Sequence, residues 1–178
     1  MTSLIRRFAA VSPAPWSNGL GRTWELIDEQ RAAALTPGHP WRLSVASLDT
    51  PAPFSAFPGL HRTQIPWGGD ISLEIDDTLH RVAHGEVVRY AGGSRTSLVD
   101  IDRPCHAINL MAPSPVPTLT RADSGARFDD PVVALVTEQS SIAERFDVLA
   151  VSAGDALPSP AIVVTLRPGP APRGTNRG

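Results

Sequence analysis

Apolar positions along this chain fall in short runs, several alternating with polar residues, and glycine or proline interrupts them at close intervals. The runs that read as strands are Trp24 to Ile27, Trp41 to Ser47, Ile71 to Ile75, Leu79 to Ala83, Glu86 to Tyr90, Ser97 to Ile101, Ala107 to Met111, Val132 to Val136 and Ala161 to Leu166. Their length and spacing predict an all-β sandwich or barrel. With 14 glycines and 18 prolines as punctuation, long helices do not fit between the breaks. Only Glu138 to Val148 and Asp28 to Leu35 leave room for a short one.

Residues 1–166 are expected to form one domain, since 178 residues bury one sizeable core and leave little for a second. The last stretch, 167–178, reads RPGPAPRGTNRG; it has nothing to bury and is expected to be disordered. No close internal repeat is visible.

Charge narrows the partners. A formal net charge of −2 and a pI near 6.2 leave no excess of positive charge to neutralise phosphates, so neither nucleic acid nor an anionic membrane is an expected partner. All 16 basic residues other than histidine are arginine. The absence of lysine excludes Schiff-base and lysine-nucleophile chemistry. Cys105 is alone, so no intramolecular disulfide can form. No signal-peptide pattern or membrane-length apolar run is present, and the expected location is the cytoplasm.

Three segments carry candidate chemistry. The first, Trp16 to Glu25 (WSNGLGRTWE), sets Asn18, Thr23 and Glu25 around two turn glycines that lead into a strand; a phosphate loop would need a following helix and usually a lysine. In the second, the period of two puts Trp41, Leu43 and Val45 on one face and Arg42, Ser44 and Ala46 on the other. Arg42 then either looks into a cavity, where it would grip a carboxylate, or lies on a solvated outer face. The third, Pro53 to Arg62, reads as a loop stiffened by Pro53, Pro58 and Gly59 that mounts His61 and Arg62. A lone loop histidine such as His61 is ordinarily a structural group.

Together these segments resemble the HutD family, also called HutD/Ves: the W-x-N-G-x-G-x-T-x-E opening, the W-R-x-S-x-A strand, the P-F-S-x-F-P-G-x-x-R loop and, fourth, the N-x-M element at Asn109 to Met111. The match runs from Trp16 to Met111 in the expected order. It implies a double-stranded β-helix of the cupin (RmlC-like jelly roll) kind, with two barrels packed in one chain as a bicupin. It also implies a small-molecule-binding role tied to histidine utilisation. Carried over by position, the ligand-binding candidates are Asn18, Thr23, Glu25, Arg42, Ser44, Phe54, Ser55, Arg62 and Asn109, with Arg42 and Arg62 as clamps for a small acidic metabolite. Two positions depart from the family pattern: Ala107 stands where an acidic residue is usual, and Leu20 where a glycine is common.

Cupin enzymes usually hold a metal through histidines and a glutamate. Here His80, His84 and Glu86 are the local cluster, but an extended strand separates His80 from His84 by roughly 13 Å, and the H-x-H element is absent. No metal ligand is assigned and no cofactor is expected. Cys105 and His106, adjacent on a strand, point to opposite faces, so Cys105 reads as a small buried residue. Three functional classes remain: a metal-free binder of an acidic metabolite, a metal-free hydrolase or isomerase using Glu25 as base, and an interaction protein with a vestigial pocket. A homodimer is compatible with any of them.

Overall fold

The alternation at 41–47 becomes a strand in the computed structural model, which describes residues 1–166. In chain order the first strands are β1 (Ser3–Arg6), β2 (Ala14–Pro15), β3 (Arg22–Ile27), β4 (Arg42–Leu48), β5 (Ala52–Pro53), β6 (His61–Trp67), β7 (Ile71–Ile75) and β8 (Thr78–Val82). They continue with β9 (Val88–Ala91), β10 (Thr96–Ile101), β11 (Cys105–Ala112), β12 (Thr118–Ala122), β13 (Val132–Val136), β14 (Val148–Val151) and β15 (Ala161–Thr165). A helix, α1 (Glu29–Leu35), lies between β3 and β4. Asp28 caps it by accepting a hydrogen bond from the Arg31 N–H at 2.8 Å.

Among the described residues the strands form three antiparallel sheets: a six-stranded one ordered β2-β3-β4-β11-β6-β9, a four-stranded one ordered β5-β10-β7-β8, and a five-stranded one ordered β1-β14-β13-β15-β12. Each is open, with two edge strands. The six-stranded sheet is the middle layer. On one face Leu43, Val45, Ile65, Ile108 and Leu110 meet Leu119, Leu135, Val148 and Ile162 of the five-stranded sheet in a dry core. Trp41 is fully enclosed there and its Nε1 donates to Thr36 Oγ1 at 2.7 Å, so the ring is buried without orphaning its N–H.

The other face packs on the four-stranded sheet only at one end, where Ala46, Leu48, Cys105 and Ala107 meet Ile71, Leu73 and Leu98. The far side of the five-stranded sheet is covered by its own loops through Ala143, Leu157 and Phe128. None of the described helices is long and apolar enough to cross a membrane.

Two expectations are corrected. Residues 61 and 62 lie on β6, not in a loop: the turn closes at Leu60, and Pro66 had disguised the strand. Proline is tolerated there because β9 pairs with β6 only as far as Gln64↔Val88. Past that point the β9 side of β6 is an edge needing no N–H, and the Pro66 carbonyl on that side is taken by the Gly85 N–H at 2.8 Å.

The room for a short helix at 138–148 is not used by one. Ser140 Oγ accepts from the Ala143 N–H, the Asp147 carboxylate accepts from the Glu144, Phe8 and Arg7 donors, and Phe146 turns through φ +70°. These side-chain bonds compete with the helix ladder and tie the N-terminus to the C-terminal half. Strands β1, β2, β5, β12 and β14 were not foreseen. The stretch 167–178 lies outside the described residues.

Candidate functional site

Where the middle and four-stranded sheets part, they leave a cavity of about 390 Å³. Strand register builds its wall in rows. Thr23 and Ala107 both pair with Ala46 at the floor; Glu25 and Asn109 pair with Ser44 one step up; Met111 lies between Arg42 and Arg62 at the next. Every second residue of β3, β4, β6 and β11 therefore points inward, from a floor of small side chains through a row with Glu25, Ser44 and Asn109 to an outer row with both arginines. All nine sequence candidates, Asn18, Thr23, Glu25, Arg42, Ser44, Phe54, Ser55, Arg62 and Asn109, line this one cavity. The open question about Arg42 is thereby answered in favour of the cavity side.

Arg62 is the group that stands out. It is 8% exposed, and among the described residues no carboxylate lies within ion-pair distance of it. Its Nε and Nη2 both donate to Asn109 Oδ1, at 3.2 and 3.0 Å. The guanidinium stacks over Phe54 at 4.9 Å and Tyr90 at 5.6 Å, contacts that favour a desolvated cation. Burial still holds its pKa below the usual arginine value, while the Tyr90 hydroxyl acts in the opposite direction. Burial likewise pushes the Tyr90 phenol up to about 12, with Arg62 opposing, so the phenol stays protonated and donates to Gln64 Oε1 at 2.7 Å. Gln64 Nε2 is buried with no partner.

The mouth is charged differently. Arg42 sits between two carboxylates, 4.0 Å from Glu25 and 3.8 Å from Glu29, and over the Phe57 ring at 5.6 Å. Glu25 keeps 52% of its side-chain surface in water. One wall is the Trp16 ring, which donates from Nε1 to Thr23 Oγ1 at 2.9 Å and meets Phe54 edge-on at 5.9 Å. Gly21 is required beneath it, since a Cβ there would stand 2.8 Å from the ring. Asn18 Oδ1 accepts from the Leu20 N–H at 3.0 Å and shapes the turn, while Leu20 itself points outward.

The adjoining wall, 54–60, is pinned along its length: the Phe54 N–H donates to the Thr96 carbonyl at 2.9 Å, the Phe57 N–H to the Gly92 carbonyl at 2.6 Å, and the Leu60 carbonyl accepts from the Gly92 N–H at 2.6 Å. A Cβ on Gly92 would stand 2.6 Å from the Phe57 carbonyl, so only glycine permits that clasp.

The remaining chemistry-bearing residues lie elsewhere. Cys105 is buried below the floor, its thiol pushed up to about 11 by burial and then by Asp102, Asp49 and Asp70. His106 faces the other way, against Trp24 and Phe146. His84 accepts from the Gly68 N–H at 3.0 Å and packs on Trp67. Among the described residues no three His, Cys, Asp or Glu side chains gather as a metal site.

Sequence reasoning missed Trp16, Phe57 and Met111 as lining residues, although each stands inside a motif quoted for its neighbours. Gln64 and Tyr90, behind Arg62, were missed because 61–67 did not read as a strand. Once it does, the two-residue step from Arg62 to Gln64 shows them on one face.

The HutD family model matches residues 9–130. The chain belongs to the HutD family. Among solved structures, HutD from Pseudomonas fluorescens is similar with a TM-score of 0.74 at 23% identity, covering 94% of this chain and 100% of that one. A conserved protein of unknown function from Pseudomonas aeruginosa matches with a TM-score of 0.70 at 18% identity over 92% of this chain and 96% of that one. A predicted oxalate decarboxylase from Thermotoga maritima matches with a TM-score of 0.50 at 12% identity over 61% of this chain and 98% of that one. The first likeness shows a fold shared with HutD over nearly the whole chain, and the third shows that part of this all-β fold is shared more widely. No curated protein matches the sequence.

Proposed function

We propose that this HutD-family chain is a two-barrel cupin of the cytoplasm that binds a small carboxylate-bearing metabolite and thereby tunes histidine utilisation or a related amino-acid pathway. The observation that carries the reading is Arg62, a buried guanidinium with no acidic partner among the described residues, held by Asn109 and two aromatic faces on the β6 side of a cavity. A buried cation is costly unless an anion joins it, and arginine matches a carboxylate through paired hydrogen bonds. Ser44 and Asn109 offer directional hydrogen bonds beside it, and Phe54 and Trp16 wall the space. Family membership, and the HutD name of the Pseudomonas fluorescens relative, support the link to histidine utilisation. General-base chemistry by Glu25 has no specific observation in its favour.

The test is a thermal-shift screen against formate, urocanate, formiminoglutamate, formylglutamate and glutamate, run with and without chelator. A ligand at a hundredfold excess over its Kd stabilises the folded state by about 2.7 kcal/mol, a shift of several degrees. We expect such a shift with at least one acid, unchanged by chelator and lost in Arg62→Met, with the variant's fold checked by circular dichroism. No shift with any of the five, or an undiminished shift in Arg62→Met, would remove the carboxylate reading.

A further inference from the structure

The two arginines of the cavity are not equivalent, and the difference bears on which carboxylates the site accepts. Arg62, buried on the β6 side, has no carboxylate within ion-pair distance among the described residues. Arg42, at the mouth, faces two, Glu25 and Glu29, at 4.0 and 3.8 Å. One positive and two negative groups leave the β3 side of the mouth with a net negative charge, whereas the β6 side carries a positive one with no carboxylate beside it among the described residues. Glu25 on β3 and Arg62 on β6 stand across the sheet from each other with β4 and β11 between them, so a ligand that holds Arg62 by its carboxylate and spans the cavity brings its far end to Glu25.

We infer that the cavity selects monocarboxylates with a neutral or cationic far end over dicarboxylates, with Glu25, assisted by Glu29, as the specificity-determining group. This rests on the carboxylate reading of Arg62 given above. A second carboxylate would have to displace Glu25 and Glu29 from Arg42 or lie beside them. Like charges brought together in a half-enclosed mouth repel, whereas an ammonium or amidinium there finds two acceptors already in position. Specificity then comes from a repulsive element at one end of the pocket as much as from an attractive one at the other.

Three probes with the same five-carbon chain separate the alternatives: pentanoate, glutarate and 5-aminopentanoate, which differ in the group that the far end carries. Their apparent affinities are read from the concentration dependence of the thermal shift on the full chain. The expected order is 5-aminopentanoate, then pentanoate, then glutarate. Each step is roughly two- to fivefold, the range of partly exposed charge pairs. In Glu25→Gln combined with Glu29→Gln, the ratio between the first and the last should collapse toward unity or invert. Binding of glutarate as tight as or tighter than pentanoate, 5-aminopentanoate as the weakest of the three, or a ratio that survives the double substitution each overturns this inference and leaves the carboxylate reading intact. Failure of all three probes to bind counts instead against the carboxylate reading itself.

Discussion

The two faces of the six-stranded sheet are made by the same strands and have opposite characters. Toward the five-stranded sheet, β4 and β11 present Leu43, Val45, Ile108 and Leu110, each at most 1% exposed. Toward the four-stranded sheet, the intervening residues are Arg42, Ser44, Asn109 and Met111, lining a cavity. A single period of two thus divides stabilising burial from polar chemistry, and the sheet can carry charged groups on one side because the other side is dry and tightly packed. The lesson is spatial: in this chain a substitution's effect is set by the parity of its position.

The largest expected effect breaks that comparison directly. Leu43→Ala leaves a hole in the dry core and should cost about 2–5 kcal/mol in urea denaturation. Its neighbour Ser44→Ala, on the cavity side, should cost less than about 1 kcal/mol, since the hydroxyl it removes has open space before it. Equal losses at both positions would mean that the cavity face is as tightly packed as the core.

A smaller effect sharpens the picture of the polar face. Tyr90 donates to Gln64, whose Nε2 has no partner. Gln64→Leu alone strands the partly buried Tyr90 hydroxyl, at an expected cost of about 1 kcal/mol. Adding Tyr90→Phe removes both polar partners, so the double variant should recover most of that loss. If the double variant is no more stable than Gln64→Leu, the Tyr90 hydroxyl has another route to satisfaction and the pair is not a closed unit behind Arg62.

Much of this arrangement was legible in the chain. The face assignment of Trp41 to Ser47 follows from alternation, and the four motifs at Trp16, Trp41, Pro53 and Asn109 name residues that converge on one cavity although 91 positions separate Asn18 from Asn109. What the residues alone did not reveal has physical causes. Pro66 reads as a strand breaker, and only the early end of β9 explains why it is tolerated. The segment 138–148 has helix-compatible composition, yet Ser140 and Asp147 take its N–H groups for turns. The charge inequality of Arg42 and Arg62 depends on α1 bringing Glu29 to the mouth, a tertiary placement with no local signature.

The smallest expected effect lies at the margin of the dry face, where His106 opens the β11 series that faces away from the cavity. Its ring stands 5.2 Å from that of Phe146 and 6.3 Å from that of Trp24. Burial, then the charge of Arg145, holds its pKa below the usual 6.5, with Asp49 opposing. The folded state therefore prefers the neutral ring, and the unfolded chain binds the extra proton first as pH falls. Stability contributed by this group is complete above about pH 6.5 and declines as the pH drops toward the lower folded value. Urea midpoints taken at pH 7.5 and 5.5 should show a fall that is smaller in His106→Phe, which keeps a ring against Phe146 and Trp24 but has no proton to gain. An unchanged pH slope in that variant would assign the acid sensitivity to other groups and leave the dry face without an ionisable weak point.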